Sequence, residues 1–455
     1  MTIEEKGEEG LDWVKPDVTP DPPDPGPGLP PPPGLGFHQE GNMHLTDEEQ
    51  RILDGAFGEP QRIALSVLVK LGEAYGADRL VEIASAHLVA SSYQIAGEAG
   101  IEIYTKLVEQ GARVKVRTTS DPGSIDFARW QEFQTPREYA ERQIVIAELL
   151  DRMGVIPTWT CTPYTTFNVP RFGEDLGWSE SSAVVFVNSV IGARTNRLAA
   201  YVDLCAALVG RVPRFGLHVP ERRLGEVVFE LAPELSANFE DHYFPVLGYR
   251  VGQVTGDRIP VILGVGQASF DQLKAFGAAA AASGSVALYH MVGITPEART
   301  LEEALGGRQP SERLLVGIRE IRDTLGQMST GQDGPVDVVG VGCPHASLDQ
   351  IRRYATLLQG KRVHDGVALW ICANTVVEEM ARRMGYLEVI EGAGAKLMVG
   401  TCHNDCPLGA WGFRRLVTDS GKFAYYTPTT VGTECIFAST EACFEAAITG
   451  KVDRR

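Results

Sequence analysis

The chain alternates two kinds of segment, and this constrains its fold more than any other feature. Short apolar, β-branched runs recur: VEIASAHLV (81–89), ARVKVRTT (112–119), VALYHMVG (286–293), VDVVGVG (336–342), VALWI (367–371) and AKLMVG (395–400). Between them lie stretches with helical spacing, such as IEIYTKLVEQG (101–111), PREYAERQIVIAELLDRMG (136–154) and VVEEMARRMG (376–385). Strand and helix periods in turn predict an α/β chain with mostly parallel sheets. At about 150 residues per domain, 455 residues make roughly three units, so more than one lobe is expected. No internal repeat at a fixed period is present.

Residues 1–42 stand outside this pattern. Their PDVTPDPPDPGPGLPPPPG (16–34) cannot build a core and reads as a disordered, polyproline-like tail. Order is expected from MHLTDEEQ (43–50), where Thr46 and Glu49 have the spacing of a capping box. In the next helix Pro60 suits the first turn, and Ile63, Val67 and Leu71 share one face.

The net charge of −17 opposes binding to phosphate backbones and anionic membranes, so neither nucleic acid nor membrane is an expected partner. The N-terminus is acidic and lacks an apolar signal region, and no run of about 18 apolar residues marks a membrane span. A cytoplasmic location is expected. There thiols stay reduced, which favours metal or catalytic roles over disulfides for the eight cysteines.

Four cysteines share one context. VIPTWT runs into Cys161, VDVVGVG into Cys343, VALWI into Cys372 and AKLMVGT into Cys402. Ligands of open α/β sheets gather beyond the carboxyl ends of strands, so thiolates from separate strand ends can converge. Three thiolates on an iron–sulfur cluster leave one iron open, and an open metal polarises a bound oxygen. Spacing alone does not choose among the four. Cys205 and Cys443, at helical spacing, and Cys435 read as small buried hydrophobes. Cys402 and Cys406 form a C-x3-C pair with no second pair, which is poor spacing for a self-contained zinc site.

LGVGQAS (263–269) resembles a dinucleotide loop, but no acidic residue follows about 20 positions on, so a tight turn is preferred to an oxidoreductase site. The stretch WSESSAVVFVNSVIGARTNR (178–197) is dense in polar residues, and its Arg194 and Arg197 suit a carboxylate. His345 in CPHAS (343–347) is a candidate acid, base or orienting group.

Several motifs in order carry a family resemblance: SAH (85–87), VRTTSDPGSIDFARW (116–130), CTPY (161–164), WSESSAVVFVNSVIGARTNR, GSVALYHMVGITPEA (284–298), GCPHAS (342–347), GTCH (400–403) and DSGKFAYYTP (419–428). From residue 43 to the C-terminus the chain resembles the large, catalytic subunit of aconitase X, a branch of the aconitase superfamily. The resemblance implies an aconitase-like α/β fold of several α/β/α lobes around a metal site. It selects Cys161, Cys343 and Cys402 as ligands of an iron–sulfur cluster or a mononuclear iron. It implies a separate small, swivel-domain subunit as partner. It also implies a hydro-lyase acting on a small hydroxy acid: cis-3-hydroxy-L-proline or mevalonate 5-phosphate. The run LAAYVDLCAALVGRVP after GARTNR leans to the first.

Within these motifs His345, Lys422 and Ser181 are the expected catalytic residues. His87, Asn188, Arg194, Thr195 and Asn196 are the expected substrate contacts. His403 and Asp405 are expected to shape the rim, with Cys406 a bystander. A non-catalytic iron–sulfur or zinc protein is the alternative from another class.

Overall fold

The computed structural model describes residues 43–133, 135–406 and 412–453. The proline-rich stretch, and its reading as a tail, lie outside them. Twelve strands form three parallel sheets, numbered here in chain order. The first holds β1 (Ser85–Leu88), β2 (Arg117–Ser120) and β3 (Gly177–Trp178) in the order β2-β1-β3. The second holds β4 (Val227–Leu231), β5 (Pro260–Leu263), β6 (His290–Met291) and β7 (Glu312–Val316) in the order β6-β5-β4-β7. The third holds β8 (Val338–Val341), β9 (Ala368–Ala373), β10 (Lys396–Val399), β11 (Arg415–Thr418) and β12 (Glu434–Phe437) in the order β10-β9-β8-β11-β12. The α/β alternation read in the sequence is thus an aconitase-like set of parallel-sheet lobes.

The order of the third sheet decides where a site can form. The chain winds outward from β8 to β10, then returns to the far side of β8 as β11. The two connections leave β8 and β11 in opposite directions, so a crevice opens between their carboxyl ends. Val338, Val339 and Val341 of β8 are fully buried, which is why this strand reads as a continuous apolar run.

The helix Phe270–Gly284 joins the lobes. Its sequence FDQLKAFGAAAAASG keeps the surface low, so neighbours approach closely on several sides. A Cβ on Gly421 would stand 2.7 Å from that of Ala279 on this helix, so only glycine fits there. A further seam ties the loop after β2 to β10. Gly123 N–H donates to Gly400 O at 2.9 Å, the Asp126 carboxylate accepts from Val399 N–H at 3.0 Å, and Arg129 donates to Leu397 O at 2.7 Å.

Local expectations fared unevenly. The capping box forms: Glu49 N–H donates to the Thr46 hydroxyl, and Thr46 N–H to the Glu49 carboxylate. Helix Glu59–Ala74 carries Pro60 in its first turn, but its core face is Ala64, Leu65, Leu68 and Gly72. Ile63 and Val67 face outward, because i and i+4 apolar pairs mark a face without saying which side is covered. VEIASAHLV splits into Leu80–Glu82, paired antiparallel with Arg211–Pro213, and β1. VIPTWT forms no strand and makes a single bridge, Ile156 to Thr119 beside β2.

Candidate metal and catalytic centre

Three strand ends of the third sheet and one loop deliver the thiols and the lysine of one centre. Gly342 follows β8 with φ +83°, and a Cβ there would stand 2.3 Å from Cys372 O; glycine therefore turns Cys343 into the crevice. Beyond β10 the chain carries Cys402. Beyond β11 it carries Ser420 and then Lys422 on the short helix Gly421–Tyr426. Cys161 comes from the loop beside β2, where Trp159 takes a left-handed φ of +45°. That conformation is uncommon for a bulky residue, and it is held by the Ser120 hydroxyl, which accepts Trp159 N–H at 3.0 Å, and by Phe127, 4.6 Å between ring centroids.

The eight cysteines are all free thiols. Cys343 and Cys402 hydrogen-bond to each other, which lowers the Cys343 pKa; Lys422 and Ser420 pull it down further. Cys402 is correspondingly raised, by the bond from Cys343 and by burial. Cys161 accepts the His345 N–H at 3.4 Å, and burial with the negative charges of Glu180 and Asp121 pushes its thiol up. Cys372 feels the charges of Cys343 and Cys161, but its sulfur lies against the His403 ring, 3.5 Å from both nitrogens.

The first sheet supplies the facing wall. Glu180, just past β3, caps the helix Ser181–Phe186. Its carboxylate accepts Ala183 N–H at 2.5 Å, the Ser182 hydroxyl at 2.7 Å and the Ser181 hydroxyl at 3.3 Å, and it pairs with the Lys422 ammonium. Burial opposes ionisation, but Lys422 and these donors outweigh it and hold Glu180 at about 2. Burial likewise opposes the Lys422 charge, yet Glu180, Cys343 and Cys161 raise it well above the usual lysine range. Asp121, just past β2, is driven up by burial and by Glu180; Asp405 is driven to about 8 by burial and by Asp121. The Asn404 amide points at Cys343 Sγ from 3.9 Å.

Of the expected catalytic residues, Lys422 and Ser181 both touch Glu180 at this centre. Others are corrected. His345 has both ring nitrogens engaged. Its Nδ1 meets the Thr160 hydroxyl at 3.0 Å, its Nε2 meets Thr401 O at 2.9 Å, and burial lowers it to about 4. It clamps the Cys161 loop to the chain entering Cys402. His87 is fully buried behind Asp121, with Nδ1 at 2.8 Å from the Thr119 hydroxyl and Nε2 at 3.3 Å from Asp121 Oδ1. Burial holds it near 4, so it orients Asp121 as a neutral ring rather than meeting substrate.

Asn188 is fully buried, and its amide is fully used. It donates to Thr195 O and Ala287 O and accepts from Thr195 N–H and Arg223. The Thr195 hydroxyl bonds Asn196 O, and Asn196 holds Phe215 O and Leu217 N–H. Arg194 runs beside Asp175 at the amino end of β3, the end away from Glu180. The polar density of this stretch is an internal hydrogen-bond lattice. Sequence reasoning gave no role to Asp121, and it named Glu180 only as part of that polar stretch. The available signal was position: an acid directly after a strand, and an acid at a helix N-cap.

Three parallel-sheet lobes, of which the first and third aim thiols, acids and one lysine into a shared crevice, define a multi-lobed α/β protein with a thiol-rich centre. Models of the aconitase X first, second and third domains match residues 42–221, 225–326 and 336–449, and the chain belongs to the aconitase X family. It is 38% identical over 403 residues to the phosphomevalonate dehydratase large subunit of Methanocaldococcus jannaschii, covering 88% of this chain and 98% of that one. It is also 38% identical over 423 residues to the cis-3-hydroxy-L-proline dehydratase of Pseudomonas aeruginosa, covering 92% of this chain and 72% of that one. The crystal structure of Thermococcus kodakaraensis aconitase X, in its holo-form, superposes with a TM-score of 0.81 at 37% identity, over 89% of this chain and 100% of the other. The chain is a dehydratase, a hydro-lyase. Among the described residues no helix is long and apolar enough to cross a membrane.

Proposed function

We propose that this chain is the large subunit of a dehydratase that removes water from cis-3-hydroxy-L-proline at the Cys161–Cys343–Cys402 centre, together with a small subunit. The observation that carries the reading is the meeting of these thiols, two from strand ends and one from a constrained loop, with the Glu180–Lys422 pair. The donor set fits an iron–sulfur group: the thiols are free, and Lys422 and Ser420 favour the Cys343 thiolate. When bound, the group would act as a Lewis acid toward the departing hydroxyl.

The protein's own residues bind and orient. Lys422, paired with Glu180, keeps one positive charge at the centre, while burial holds Asp121 and Asp405 towards their neutral forms. The assignment of cis-3-hydroxy-L-proline draws on the relative of that name, matched over 92% of this chain. Glu180 holds its proton too weakly to act as a base, Lys422 stays protonated and His345 is occupied, so we assign proton removal either to Asp405, raised to about 8 by burial and Asp121, or to a group of the small subunit. A second reading, mevalonate 5-phosphate, draws on the relatives matched over nearly their full length, which are named phosphomevalonate dehydratase large subunits. The complex, reconstituted anaerobically with iron and sulfide, should convert cis-3-hydroxy-L-proline to pyrroline-2-carboxylate. Turnover of mevalonate 5-phosphate alone would reverse the assignment, and full activity from metal-free protein would sink the role of the thiols.

A further inference from the structure

Tyr164 sits three residues past Cys161, in the turn Pro163–Thr165, and its hydroxyl has no role in the lattice described above. Its ring lies flat on Phe186, with centroids 4.0 Å apart and planes 10° from parallel. Phe270 meets Phe186 edge-on at 6.1 Å. Trp178, Ala183 and Val187 complete the surrounding cluster. The side chain is therefore clamped, and the residue is only 5% exposed. Its Oη is nevertheless buried and hydrogen-bonds to no protein group.

Such a group is costly. A buried hydroxyl without a partner loses about 1–3 kcal/mol, and buried tyrosines usually find one. Phenylalanine would fill the same space without that penalty. Tyr164 lies three residues past Cys161 and stacks on the last residue of the helix that Glu180 caps, so it borders the thiol centre rather than a remote core. The helix it stacks on carries Ser181 and is capped by Glu180. Lys422 is engaged by Glu180, which leaves the centre short of free donors for an anionic substrate.

We infer that Tyr164 is a substrate-contacting residue whose hydroxyl donates a hydrogen bond to the anionic group of the bound hydroxy acid. This rests on the reading that the thiol centre is where substrate binds. Pre-orientation by the Phe186 stack lowers the entropy lost on forming that bond.

The test is Tyr164→Phe in the reconstituted two-subunit complex, with L-proline and mevalonate as carboxylate probes in calorimetric titrations. The ring and its stack are retained and the unpartnered hydroxyl is removed, so the visible spectrum should match wild type and the melting temperature should hold or rise. Loss of a hydrogen bond to a charged group should weaken probe binding by roughly 10-fold or more, with a similar fall in kcat/KM. Equal affinity in the two proteins would overturn the inference, as would no binding of either probe by wild type. A lowered melting temperature with affinity unchanged would show a purely structural residue and overturn it too. If wild type turns over neither candidate substrate while the difference in probe affinity persists, Tyr164 keeps its role and the assigned reaction fails.

Discussion

Glu180→Gln removes one charge from a pair that is almost wholly out of water. The side chains of Lys422 and Glu180 are 13% and 4% exposed. One carboxylate oxygen accepts from Lys422 and Ser181, and the other from Ser182 and Ala183 N–H. A glutamine must turn its NH2 toward one of these donor pairs, and it leaves the Lys422 ammonium buried without a counter-charge. Breaking a buried pair from one side costs about 3–5 kcal/mol. For a unit the size of the first lobe, residues 42–221, each kcal/mol moves the melting point by roughly 2–4 °C. The transition of that lobe should therefore fall by roughly 6–20 °C in differential scanning calorimetry. Amides of the helix Ser181–Phe186 should exchange faster with solvent deuterium. The double variant Glu180→Gln/Lys422→Met should regain a large part of the loss, since no unpaired charge remains. A fall below about 2 °C, or a double variant no more stable than the single one, would refute the reasoning.

Three further outcomes are expected. Cys402→Ala should lose iron measured after anaerobic reconstitution, whereas Cys406→Ala should keep it, because the Cys406 sulfur is engaged by the Thr401 hydroxyl and Ser124 O. Asn188→Ala should destabilise the fold by about 2–4 kcal/mol in denaturant titrations, since it strands buried donors and acceptors, and should leave KM unchanged in the surviving folded enzyme. Asp203, buried and accepting Val89 N–H and Leu204 N–H, is raised by burial to about 6. The folded state thus holds this proton more tightly than the unfolded chain. Its contribution is full below about pH 4 and declines as pH rises through about 6, by about 3 kcal/mol in all. Asp203→Asn should remove that slope in stability measured across this range.

The thiol sites show how far linear reasoning reaches. An apolar run ending in cysteine was readable at 343, 372 and 402, because strand burial is written in consecutive residues. Cys161 was found by the same rule although VIPTWT makes no strand; a constrained loop delivers it instead. The stretch around Asn188, Thr195 and Asn196 misled, because a buried hydrogen-bond lattice and a binding loop have the same composition. His345 and His87 misled for a related reason: only the positions of Thr160, Thr401, Thr119 and Asp121, distant in sequence, show both rings to be occupied.

By itself the sequence determined the alternation of strands and helices, the strand-end placement of the cysteines and, through its ordered motifs, the family. Those properties depend on neighbours along the chain. Tertiary structure decided the rest: the strand order that opens a crevice between β8 and β11, the seam at Gly123 and Gly400, and the union of Glu180 with Lys422. A carboxylate and an ammonium separated by 242 positions acquire their charge states only when folding removes both from water against each other.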